Sequence, residues 1–280
     1  MRIFGVTEAE HYCSSFKALP GGAKGSIKTF VRRHLNGRHT LIEGSTKFDE
    51  YRDCALRDVD RCLFLAASHY RRALDLMIPS ASSWAHVTLY YGSFLAATAL
   101  LGMFGGWVDD PTVIEVDNGT PRTQRLTINR GGGHVSAHKG SHKRFWDLFY
   151  SAVSSLVLLV DPPLRFGIEP VGGSITWQID NRNAVNYDSF VACELGHALQ
   201  TGFNPAMYRA TLPGVLNTQF KAFETLLLVA FRFAQQFGFQ TDALARFAPV
   251  GARGIKIEQL VYDSAPPALN HIDTRAATLI

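Results

Sequence analysis

From Ala81 to Val108 the chain carries no Asp, Glu, Lys or Arg. A segment of that length either crosses a bilayer or lies at the centre of a packed fold. Its polarity argues for the packed fold. His86, Thr88, Ser93, Thr98 and four glycines interrupt it, and no second span of comparable length follows. Leu148 to Val160 is shorter and broken by serines. The expectation is therefore a buried central helix, no membrane and a cytoplasmic protein. The first residues, Met1-Arg2-Ile3-Phe4-Gly5, fit the same expectation, since they lack the apolar run of a signal peptide.

Helical periodicity flanks this segment. Leu56, Val59, Leu63, Ala66, Tyr70, Leu74 and Met77 recur at steps of three and four, and Pro79 ends the run. Trp84, Val87, Tyr91, Phe94, Thr98 and Leu101 mark one face of the next helix, while Gly92, Ala96 and Ala99 keep another side small enough for close approach. The texture then changes. Val113-Ile114-Glu115-Val116 and Arg125-Leu126-Thr127-Ile128 flank Asn118-Gly119 and predict a β-hairpin. A further helix is expected from Ser141 through Val160, a short strand over Ser174 to Ile179, a helix from Ala184 to Gln200, and a last one marked by Phe220, Phe223, Leu227, Ala230, Ala234 and Phe237. Gly131-Gly132-Gly133 lacks a P-loop lysine and reads as a joint.

With 46% hydrophobic and 19% charged residues over 280 positions, most of the chain should pack. The fold class is mainly α. The expected division is an arm at 1–46, a helical core at 47–204 with the hairpin at about residues 112–130, and a C-terminal helical extension at 205–280. The four cysteines show neither CxxC nor zinc spacing, so no metal and no cofactor are expected. Cys54 and Cys62 should share one helix and stay unbridged.

The net charge of +4 is modest, but its distribution is uneven. Arg122, Arg125, Arg130, Lys139, Lys143 and Arg144 lie between Thr120 and Trp146 with no acidic residue among them, and His134, His138 and His142 share the window. Such a run is either a solvated loop or a surface for RNA or DNA. Arg182-Asn183-Ala184-Val185-Asn186-Tyr187 is a second candidate. If it opens a helix, Arg182 and Asn186 share a face, a permanent cation beside an amide that suits phosphate. A core carboxylate such as Asp188 or Glu194 is the competing partner for Arg182. Glu194 and His197 have the spacing of a metal pair but no second pair to complete a site.

The segment from Trp84 to Leu101, with Tyr90-Tyr91, Phe94, Ala96-Ala97 and Leu100-Leu101, resembles a helix of the HEPN superfamily, helical domains of prokaryotic defence and toxin systems. Gly140-Ser141-His142, leading to Phe145-Trp146, resembles the start of the following helix. Arg182-Asn183 with Asn186-Tyr187 falls where the family places its arginine–histidine motif. The resemblance covers roughly residues 50–200. It implies an antiparallel helical bundle with a hairpin insertion and an extra C-terminal helix, and a homodimer or subunit of a larger complex. It also implies metal-independent endoribonuclease chemistry with Arg182, Asn183, Asn186 and Tyr187 at the site. The sequence departs from the family at the motif histidine, where Asn186 and Tyr187 stand instead. An amide is no general base, and a phenol of pKa about 10 is a poor one. His142 is the histidine available to replace it. The alternative is a non-catalytic adaptor that binds nucleic acid.

Overall fold

The computed structural model describes residues 1–18, 25–34, 38–109, 112–117, 123–130, 140–160, 162–202 and 214–238. Within them the fold is mainly helical, with a small antiparallel sheet. Helices α1 (Val6–Ser14) and α2 (Ile27–His34) come first, followed by strand β1 (Arg38–Ile42) and the long α3 (Thr46–Asp75). Ser45 caps α3 by accepting from the Phe48 amide at 3.3 Å. The predicted apolar spacing is realised: Leu56, Val59, Leu63, Ala66 and Tyr70 form the buried face.

Helix α4 (Ser82–Met103) holds most of the uncharged segment and lies between α3 and α8 (Gly214–Gln236). Its lack of charge follows from this position, for Ala85, Leu89, Tyr90, Ala96, Ala97 and Leu100 are fully buried. The predicted small side is where neighbours come close. Gly92 faces the ring of Phe223 on α8, and Gly102 faces Val59 on α3. Among the described residues, no helix is long and apolar enough to cross a membrane. The Tyr70 hydroxyl donates to Glu224 Oε1 at 2.8 Å and ties α3 to α8 within the core.

Strands β2 (Trp107–Asp109), β3 (Thr112–Val116) and β4 (Arg125–Arg130) follow α4. Strands β3 and β4 pair as expected, with Ile114 opposite Ile128 and Val116 opposite Leu126, while Asn118-Gly119 lie outside the described residues. The pair is part of a larger sheet, ordered β1-β4-β3-β2, in which β1 pairs with β4 from across the sequence. The chain start joins it too, as the Val116 amide donates to Arg2 O and the Phe4 amide to Phe104 O. Phe4, Tyr12 and Phe30 are buried in the common core.

Three further α-helices lie among the described residues: α5 (Ser141–Val157), α6 (Trp177–Tyr187) and α7 (Ser189–Gly202). Two expectations are corrected here. The strand over Ser174 to Ile179 is absent, and the helix expected from Ala184 is two helices broken at Asp188. Tertiary contacts override the strand-like composition. Trp177, Gln178 and Ile179 are buried, and the Trp177 indole N–H donates to the Tyr150 hydroxyl at 3.0 Å. The break has its own cause, since Asp188 leaves the helical region and its carboxylate accepts from the Phe190 amide at 2.9 Å to start α7.

Candidate functional site

Arg182 lies at the middle of α6, not at a helix start, so its anion-binding capacity comes from the guanidinium and not from a helix N-terminus. The side chain is half-buried, with Cζ 5.1 Å from the centroid of the Tyr90 ring. Neither competing acid takes it: Asp188 caps α7 and Glu194 is exposed. Among the described residues no carboxylate pairs with Arg182, and its buried Nε has no hydrogen-bond partner.

Tyr90 connects this arginine to a histidine. Its hydroxyl and His142 Nδ1 are 2.7 Å apart. His142 sits in the first turn of α5, which the chain enters through Gly140 at φ 99°, a conformation a side chain would strain. Phe94 and Tyr91 of α4 border the imidazole at ring-centroid distances of 5.0 and 6.2 Å. The site thus takes Tyr90, Tyr91 and Phe94 from α4, His142 from α5 and Arg182 from α6. Lys143 Nζ lies 3.4 Å from Asp180 Oδ1 and links the starts of α5 and α6 beside it.

The environment sets the protonation states. Burial, and then the charge of Arg182, lower the pKa of His142 below its ordinary value of 6.5, so the ring is neutral at pH 7. Burial pushes the Tyr90 hydroxyl up to about 12, outweighing the opposing Trp146 and Arg182, and the phenol stays protonated. The Tyr90 hydroxyl and His142 Nδ1 share one hydrogen bond whose donor depends on the ring tautomer; in the Nδ1–H tautomer the Nε2 lone pair is the one left to accept a proton. A fixed cation and a neutral imidazole therefore share one cluster.

Beneath the cluster runs a buried polar chain. Gln219 Nε2 of α8 donates to Ser93 Oγ at 3.3 Å and to Gln178 Oε1 at 3.1 Å, and Gln178 Nε2 donates to the Tyr150 hydroxyl at 3.3 Å. Ser93 is three residues from Tyr90, and Gln178 four from Arg182, so the chain fixes the same helix faces that carry the site.

Of the other predicted residues, Asn183, Asn186 and Tyr187 share α6 with Arg182, and the basic residues that are described lie on β4 and α5. Asn183 is half-buried on α6, whereas Asn186 and Tyr187 are exposed. Arg125 lies on β4 opposite Ile42, and Arg144 is half-buried in the first turn of α5. Arg122, Lys139, His134 and His138, and the side chain of Arg130, lie outside the described residues. No group of three metal-ligating side chains occurs among the described residues. Cys54 and Cys62 share α3 and are free, as expected. Sequence reasoning missed the role of Tyr90 and the Gln178–Gln219 chain. The detectable signal was Gln178, an amide set between Trp177 and Ile179. His86 of α4 is fully buried, and neither ring nitrogen has a hydrogen-bond partner. Comparison with family models, with curated proteins and with solved structures gives no match in any of the three.

Proposed function

We propose that this protein targets RNA, with Arg182 holding a backbone phosphate and His142 accepting the proton of the adjacent 2′-hydroxyl. The observation that carries the reading is the pairing of an arginine that has no acidic partner among the described residues with a neutral histidine, both against the Tyr90 side chain. Guanidinium binds phosphate through two donors and keeps its charge as the phosphorane forms. The activated 2′-oxygen attacks phosphorus, the bond to the 5′-oxygen breaks, and that oxygen takes a proton from water. The products are a 2′,3′-cyclic phosphate and a 5′-hydroxyl. Tyr90 orients the imidazole, and Asn183 and Asn186 add hydrogen bonds along the strand.

The resemblance of α4 and α6 to HEPN helices supports the same chemistry, with His142 of α5 standing in for the motif histidine. It extends the proposal to a dimer whose cleft holds Arg182, and to a role in a prokaryotic defence or toxin system.

The test is cleavage of structured RNA in excess EDTA. Cleavage should persist there, and Arg182→Ala and His142→Ala should each lower the rate by about 10²–10³-fold with circular dichroism unchanged. The rate should fall with acid only below the ordinary imidazole pKa, because His142 is depressed. RNA that binds but is never cut would instead favour the adaptor reading.

A further inference from the structure

The face of α4 beside the proposed site carries two exposed rings. Trp84 is 65% and Tyr91 38% exposed, although both belong to the helix at the centre of the fold. They stand seven residues apart, two turns or about 10 Å along one face. Val87 and Thr88 between them are only half-buried, so the stripe is continuous. At its inner end Tyr91 meets Tyr90 at 5.3 Å and His142 at 6.2 Å between centroids, which leads the stripe directly to the phosphate site. No acidic residue occurs from Ala81 to Val108 to repel a polyanion, and Arg182 supplies an attracting charge.

We infer that Tyr91 and Trp84 are base-stacking subsites for single-stranded RNA, placed on one side of the phosphate that Arg182 holds. This rests on the reading of Arg182 and His142 given above and adds the substrate class. The faces of bases in a duplex are closed by their neighbours, whereas unpaired bases splay onto aromatic rings. Two turns of helix leave room for separate bases on the two rings. The contacts carry no sequence information, since every base has a stackable face.

A 2′-O-methyl oligonucleotide of about twelve nucleotides, which cannot be cut, measures binding apart from chemistry. Tyr91→Ala and Trp84→Ala should each weaken its binding about ten-fold, while Tyr91→Phe and Trp84→Phe keep most of the affinity. The salt slope should match that of the unaltered protein in all four, because stacking releases no counterions, and should drop in Arg182→Ala. Bound oligonucleotide should quench the emission of Trp84, and Trp84→Phe should lose that quenching. If Arg182→Ala weakens binding but the alanine ring variants do not, the stacking subsites are wrong and the phosphate site stands. Equal affinity for the annealed duplex also overturns the subsites. So does a ring variant that turns a dimer into monomers in sedimentation while leaving RNA affinity intact, since a second copy would then cover the stripe. If Arg182→Ala changes neither affinity nor salt slope, both readings fall together.

Discussion

His86 shows how a single buried side chain makes the fold sensitive to acid. Burial moves its pKa from 6.5 down to about 4, and neither ring nitrogen has a hydrogen-bond partner that would offset the loss of water. Between these values the unfolded chain binds a proton that the folded chain refuses. Stability therefore declines as pH falls from about 6.5 to about 4, by roughly 3 kcal/mol in total. His142 adds to the slope in the same direction. Urea denaturation across this window should show the decline, and His86→Leu should remove most of it. At pH 7 the leucine variant should be at least as stable as the original, since an unpaired imidazole is exchanged for an apolar group. An unchanged acid slope in that variant would show that the ring is solvated or paired in solution.

Helices meet in this fold where glycine removes the obstacle, and the obstacle differs between sites. A Cβ on Gly167 would sit 2.5 Å from both Ala222 O and Leu226 N, the backbone of α8. Backbone in mid-helix cannot yield, so Gly167→Ala should cost about 1–3 kcal/mol in chemical denaturation. At Gly92 the obstacle is the tip of the Phe223 ring, and alanine gains up to about 1 kcal/mol of helix propensity there. Gly92→Ala should therefore cost less than Gly167→Ala, and the reverse order would mean that the Phe223 ring is held more rigidly than backbone. Elements such as α3, α4 and the β3–β4 hairpin were legible because each is specified by local spacing or by a turn dipeptide. Strand β1 was not, because its five residues acquire meaning only opposite Arg125 to Asn129, far along the chain. Segment α6 was misread because Ile175-Thr176-Trp177 has strand composition, while the contacts that make it helical come from Tyr150 and Gln219. Arg182 and His142 could each be singled out by chemistry. Their meeting over Tyr90 could not, since it depends on how three helices pack.

At the scale of the molecule, that packing is held in register by polar groups that would each be costly if left alone. Ser93, Gln178, Tyr150 and Gln219 come from α4, α6, α5 and α8, and all four are buried. Apolar packing permits small sliding of one helix on another, whereas hydrogen bonds between buried amides fix both distance and rotation. Gln219→Leu removes the donor shared by Ser93 and Gln178, and should cost about 1–3 kcal/mol because the Gln178 carbonyl loses its partner. Gln178→Leu should cost a similar amount. The double variant should cost clearly less than their sum, by about 1 kcal/mol, as the second change removes a group already stranded by the first. The same chain borders Tyr90, His142 and Arg182, so under the proposed function Gln219→Leu should slow RNA cleavage several-fold well below its melting temperature. Tyr70→Phe is the comparison, for Tyr70 lies on α3, a helix that carries no residue of the site, and the variant loses a buried hydrogen bond to Glu224 of α8. That variant should lose stability and keep its cleavage rate. Equal rate losses in the two variants would mean that cleavage tracks general loosening of the fold and not the register of these three helices.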